Sequence, residues 1–272
     1  MRRILKIEYE RSTHNLGMLL ALLMGIGCIL YQVIPVILRI IESKDIYKNI
    51  YTSFTRGGFY NLWLPGYLDG STIYYFYFIG IIVALPFGIS YVRDKNSGYI
   101  KNICNRVEKK KYLKAKFIST FISGGCTAVI PLIIDFLIVR LIIPIDCFED
   151  IKGTVLNGIT DWNAFIIQHS YIAFAIILLM WFCFGGALAT ISLMASAFSS
   201  NYFTIQLSPF FFMMILFYLP SFLPDSYGKY FPYNFLSLFG KGNPFICFVE
   251  ITLILVVTYV AFVIGETRKD IL

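Results

Sequence analysis

Charge is scarce in this sequence. Only 14% of its 272 residues are Asp, Glu, Lys or Arg, against about 25% in a soluble domain. That leaves too little polar surface to cover a water-facing globule. Histidine is scarcer still. The two present, His14 and His169, lie far apart and offer no metal-ligand spacing. No Gly-x4-Gly-Lys-Ser/Thr loop occurs, which excludes that mode of ATP binding. His-Glu-x2-His and Gly-x-Ser-x-Gly are absent too, so the common metal-hydrolase and serine-hydrolase signatures fail. Six cysteines (28, 104, 126, 147, 183, 247) form no Cys-x2-Cys pair. Most fall in apolar runs and read as small buried hydrophobes. Cys147 and Cys247 are expected near the outer face, and a bridge between them stays open. No clear internal repeat or heptad array is found.

What fills the chain instead is apolar: 58% hydrophobic and 18% aromatic residues. A bilayer solvates such a sequence, at roughly 20 apolar residues per helical span. The expected fold is an all-α polytopic membrane protein, one transmembrane domain over 1–272, with six transmembrane helices. The spans are expected near 16–38, 71–92, 117–143, 166–194, 203–218 and 245–265. The first is too long for a cleavable signal. Gly17, Gly25 and Gly27 within it allow close helix approach. Pro86 falls in the inner half of the second span. The fourth and fifth share a charge-free run, with a turn expected at Ala195 to Tyr202. Leu219 to Pro244 is broken by four prolines yet stays aromatic, which suits short re-entrant helices before the last span. Residues 1–15 mix basic and apolar residues, as a short interfacial helix or a solvated tail would.

The positive charge is concentrated. Between Tyr91 and Lys116 stand nine Lys or Arg against two acidic residues, Asp94 and Glu108. The resulting +7 equals the formal charge of the whole protein. The 144–165 loop is acidic. The positive-inside rule therefore places both termini and the 93–116 loop in the cytoplasm of a multi-pass protein of the cell membrane. The basic charge sits beside apolar runs, so lipid rather than nucleic acid is its expected partner. Within the loop, Ile100, Ile103, Cys104 and Val107 recur at helical spacing behind Gly98. A short helix with one apolar stripe is predicted, resting on headgroups or docking in a partner's groove.

Some polar residues fall inside or at the ends of spans. Asp135 and Gln206 are candidates for a pathway or for bonds across helices. Arg140 is expected to snorkel to headgroups, and His169 and Glu250 to sit near the outer interface. A membrane-embedded enzyme using Asp135 and His169 is a competing reading, weakened by the lack of any paired acidic or metal motif.

The run RDxxSGYIKNIxxRxxxKKYxxAK, from Arg93 to Lys116, resembles the loop after the second span of ABC-2 type transporter permeases. The likeness is greatest to small bacterial permeases of antimicrobial-peptide export and immunity. YFPYNFL at 230–236 is similar to the family's Pro-containing segment before the last span. Where many relatives carry Pro or Ser before the conserved Arg region, Val107-Glu108-Lys109 stands here. The resemblance implies an exporter's permease subunit with no catalysis of its own. Cytoplasmic ABC ATPase subunits would carry ATP and Mg, and a second permease subunit would complete a homo- or heterodimer. It also implies a coupling helix involving Asp94, Gly98, Ile100, Ile103, Cys104, Arg106 and Val107, with Lys111 and Lys116 anchoring the third span at the inner headgroups. The alternative is a stand-alone sensor or immunity protein that binds a peptide at its outer aromatic loops.

Overall fold

The computed structural model describes residues 2–42, 63, 73–142, 169–224, 227, 230–236 and 244–267. Apart from Trp63, the expected first outer loop beyond Glu42 lies outside these residues, as do the expected 144–165 loop with Cys147, parts of 219–244 and the last five residues. The described residues form helices and turns, with no strand among them. In chain order the helices are α1 (Arg2–Thr13), α2 (Leu16–Glu42), α3 (Ile73–Ala84), α4 (Ser90–Asn96), α5 (Tyr99–Cys104), α6 (Lys109–Ile142), α7 (Ser170–Phe198), α8 (Tyr202–Tyr218), α9 (Pro232–Phe235) and α10 (Pro244–Thr267). A 3-10 turn, Leu219–Phe222, extends α8.

Five helices, α2, α6, α7, α8 and α10, are long and apolar enough to cross a membrane. That is the architecture of a multi-pass α-helical membrane protein. The expected second span is not one helix. α3 has 12 residues, about 18 Å of rise, short of a hydrocarbon core of about 30 Å. Pro86 has no N–H to donate and its ring crowds the preceding turn. The chain leaves the helix after Ala84 and resumes it at Ser90, whose hydroxyl donates to the Phe87 carbonyl at 2.5 Å.

The third span departs in the other direction. α6 starts at Lys109, not Phe117, and runs 34 residues, about 50 Å. Its basic first two turns, about 12 Å, make up over half of the surplus over the bilayer. The turn between the fourth and fifth spans is shorter than expected. α7 continues to Phe198, and Asn201 caps α8 by accepting from the Phe203 N–H at 3.0 Å. At the other end of the chain, Asn15 serves two helices. Its Nδ2 donates to the Arg11 carbonyl at 2.7 Å, closing α1, and its Oδ1 accepts from Met18 N–H at 2.8 Å, opening α2. Residues 2–13 are therefore a docked helix and not a solvated tail.

The core is the antiparallel seam between α6 and α7. A Cβ on Gly124 would lie 2.3 Å from the Ala189 Cβ, and one on Gly185 would lie 2.4 Å from the Ala128 Cβ. The Phe182 ring covers Gly125 and the Phe121 ring covers Gly186. These contacts exchange under one local two-fold relation. The sequence reason is a short repeat, Phe-x2-Gly-Gly-x2-Ala, at 121–128 and again at 182–189. It corrects the expectation of no internal repeat. The repeat is degenerate outside those positions, so only the crossing geometry exposes it. Small residues let the backbones approach where apolar burial gives no drive between helices in lipid. Of the three glycines expected to allow close approach in α2, Gly17 meets the Leu85 carbonyl and Gly25 meets Pro131, whereas Gly27 faces open space.

Gly185→Leu is expected to destabilise the chain by about 3 kcal/mol or more, since a branched side chain cannot fit the seam. Gly27→Ala, on the open face, is expected to be neutral or slightly stabilising. Thermal melting in detergent distinguishes the two. Equal melting of both variants would contradict the seam.

Candidate functional site

The basic stretch folds as α4, a reversal at Gly98, and α5. Gly98 has φ +73°, the only positive φ among the described residues. That conformation costs a side-chain-bearing residue about 1–2 kcal/mol. α5 ends at Cys104, earlier than the Ile100 to Val107 helix expected, because the Arg106 and Val107 N–H groups both close onto the Ile103 carbonyl, each at 2.9 Å.

Three of the four stripe residues face the protein itself, and Val107, beyond the end of α5, does not join them. Ile100 is buried, and Ile103 and Cys104 pack with it against Tyr91, Tyr112, Leu113, Leu193, Ala197 and Phe262. It seats α5 on the bundle's own end. The face left exposed is polar and basic: Lys101, Asn102, Asn105 and Arg106, continued by Arg93, Lys95 and Asn96 of α4. Ile103 and Cys104 are half-buried beneath it.

Beneath it lies a buried ion cluster. Lys116, 0% exposed, donates to Glu8 Oε2 at 2.9 Å and to Asp94 Oδ2 at 2.6 Å. Arg11 bridges the same carboxylates, donating to Asp94 Oδ1 at 2.5 Å and to Glu8 Oε1 at 3.0 Å. The Tyr112 hydroxyl donates to Asp94 Oδ2 at 2.7 Å. The Lys116 ammonium stands 4.2 Å from the Phe87 ring centre, and the Arg11 guanidinium 4.6 Å from that of Tyr99. Two carboxylates and two cations leave the cluster neutral. Three separate segments, α1, α4 and α6, supply its charges. Each buried carboxylate accepts from more than one donor, which is what makes ions tolerable at this burial.

A second tie holds the last helix. The Tyr91 hydroxyl donates to Glu266 Oε2 at 2.6 Å, and Lys109 donates to the Glu266 carbonyl at the C-terminal end of α10. A cation there also suits the negative end of the helix dipole. α4 contacts α8 too, where Asn96 donates to the Tyr202 hydroxyl at 3.0 Å.

The expected site residues separate on this geometry. Asp94 is buried and ionic, not a surface contact. Lys116 is corrected from a headgroup anchor to an internal ion pair, because Glu8 and Asp94 outbid the lipid interface for its ammonium. Lys111 stays exposed and pairs with Glu108 at 2.7 Å. Asp135 is fully buried on α6, five helical turns beyond Lys116, roughly 28 Å along the axis. Gln206 is half-buried, one turn into α8 and close to the Asn96 bond, with its Nε2 unpartnered among the described residues. The structure therefore sets the two pathway candidates near opposite ends. His169 and Arg140 are exposed and Glu250 is half-buried.

Glu8, Arg11 and Glu266 were missed by sequence reasoning, and Tyr112 entered it only as part of the family motif. A signal existed for the first two. Ile4, Glu8, Arg11 and Ser12 share one helical face, but the charges on it argue for solvent by the ordinary rule. That face points inward.

Burial pushes the Asp94 carboxyl pKa up, but the Arg11 hydrogen bond and the Lys116 charge outweigh it and hold the group below the ordinary 3.8. A lowered carboxylate adds stability that is complete above its unfolded value and is lost as pH falls from there through the folded value. Hydrogen-exchange protection of residues 2–13 is thus expected to hold from pH 8 to about 5 and to fall below about pH 4. Loss of protection between pH 7 and 5 would contradict an ionised Asp94. Comparison with known proteins adds no relative: no protein-family model matches the chain, and neither a curated protein nor a solved structure matches it.

Proposed function

We propose that this chain is the permease subunit of an ATP-driven ABC exporter in the cell membrane. It spans the bilayer six times, with the α3–turn–α4 segment as the sixth crossing. From Ile73 to Val92 that segment has about 30 Å of reach at helical rise. Both termini and the Arg93 to Lys116 region face the cytoplasm by the positive-inside rule. A separate ATPase subunit binds ATP and Mg, and a second permease subunit completes the translocation path.

The observation that carries the reading is α5 itself. A six-residue helix, reversed at Gly98, is pinned by its apolar side to the end of the bundle and turns a polar, basic face outward. A helix resting on lipid would present the opposite face. Because α4 joins the ion cluster, force on α5 has a rigid route into α1 and α6. Asp94, Gly98, Ile100 and Cys104 act as the mounting, while Lys101, Asn102 and Asn105 make the contact. Asp135 and Gln206 remain candidates for the path.

The triple variant Arg93→Glu/Lys95→Glu/Lys101→Glu is expected to insert and melt as the parent does, since all three side chains are exposed. It is expected to lower ATP hydrolysis by the co-purified ATPase at least about tenfold, as like charges across an interface cost several kcal/mol. Unchanged coupled hydrolysis, or a parent chain that co-purifies with no ATP-hydrolysing subunit in mild detergent, would overturn the assignment.

A further inference from the structure

Between the first turn of α1 and the turn that joins α5 to α6 lies an open groove of about 780 Å³. Arg2, Arg3, Arg106 and Lys111 supply its positive charge. Its single carboxylate, Glu108, is taken by Lys111. No ion pair involves Arg2, Arg3 or Arg106 among the described residues. Three guanidinium groups from two distant segments thus edge one concavity, none of them ion-paired to a described residue. Like charges gathered this way repel, and the buried ion cluster nevertheless holds α1 in place beside the turn.

We propose that this groove binds the phosphate headgroup of an anionic phospholipid. Guanidinium forks match phosphate oxygens in paired hydrogen bonds. The floor is apolar, formed by Ile4, Cys104 and Val107, which a soluble phosphate would not use and a glycerol-acyl junction does. The groove opens beside the first turn of α6, the foot of a membrane-crossing helix. The lipid then bridges α1 to the 104–108 turn from outside, as the ion cluster bridges α1 to α4 from inside. The inference needs only the membrane-spanning architecture, so loss of the ATPase assignment leaves it standing.

The test titrates the detergent-solubilised full chain with dioleoylphosphatidylglycerol, read by native mass spectrometry against dioleoylphosphatidylcholine. Each basic residue near an anionic surface is worth about fivefold in affinity. Arg2→Gln/Arg3→Gln/Arg106→Gln is expected to weaken phosphatidylglycerol binding well over tenfold (~100-fold at full effect). Arg93→Gln/Lys95→Gln/Lys101→Gln, which removes as many charges elsewhere on the same end, is expected to change it less than about twofold. Should the first variant fail to fold, Arg106→Gln alone, in an exposed turn, carries the expected fivefold loss. Equal loss in both triple variants would reduce the effect to general charge and overturn the site. Unchanged binding without the three arginines would overturn it as well. Displacement of the lipid by inorganic phosphate would assign the groove to a free anion and overturn the lipid. Normal lipid binding with loss of ATPase association would assign it to a protein partner.

Discussion

The Asp94–Lys116 contact decides how this end of the molecule is built. Both groups are buried, and either one left alone would be an uncompensated charge in a low-dielectric interior. The pair is satisfied only when α1 brings Glu8 and Arg11 into place. α4, α6 and α1 are thereby committed to one arrangement. Apolar packing could not impose this alone. The stripe of α5 tolerates small rotations, whereas a bifurcated ammonium does not. The tie from Tyr91 and Lys109 to Glu266 extends the same constraint to α10. The most charged stretch of the chain is therefore where the first and last described helices are gathered in.

The spans themselves were largely legible. Hydropathy located α2, α6, α7, α8 and α10 to within a few residues at most ends, because a bilayer demands long apolar runs and little else. It failed where backbone chemistry overrides composition. Pro86 interrupts the expected second span although the residues around it stay apolar. The basic foot of α6 is helical although its charges lie outside any hydropathy window. The Phe-x2-Gly-Gly-x2-Ala repeat went unseen, since two short matches carry little signal until the helices cross.

The site was legible in position and not in orientation. Charge density and the Gly98 punctuation marked 93–116 as the working region. Of the stripe at 100, 103, 104 and 107, the first three share one face and Val107 falls past the helix end, and a face can be turned to a partner or to the protein's own core with the same spacing. Charged residues mislead in the mirror sense. Glu8, Asp94 and Lys116 read as surface groups because solvation is their usual fate, and only mutual pairing reverses it. No spacing within one helix announces a partner more than eighty residues away.

The account turns on whether the buried charges act as one unit. A double-mutant cycle on Asp94→Asn and Lys116→Met, with stability measured by reversible unfolding in micelles, addresses this directly. Each single change is expected to cost about 3 kcal/mol or more, because it leaves the otherwise neutral buried cluster with one unbalanced charge. The double variant is expected to be no worse than the poorer single, a coupling of at least about 2 kcal/mol. Costs that add to within about 0.5 kcal/mol would mean the two groups do not meet, and the buried cluster would have to be abandoned.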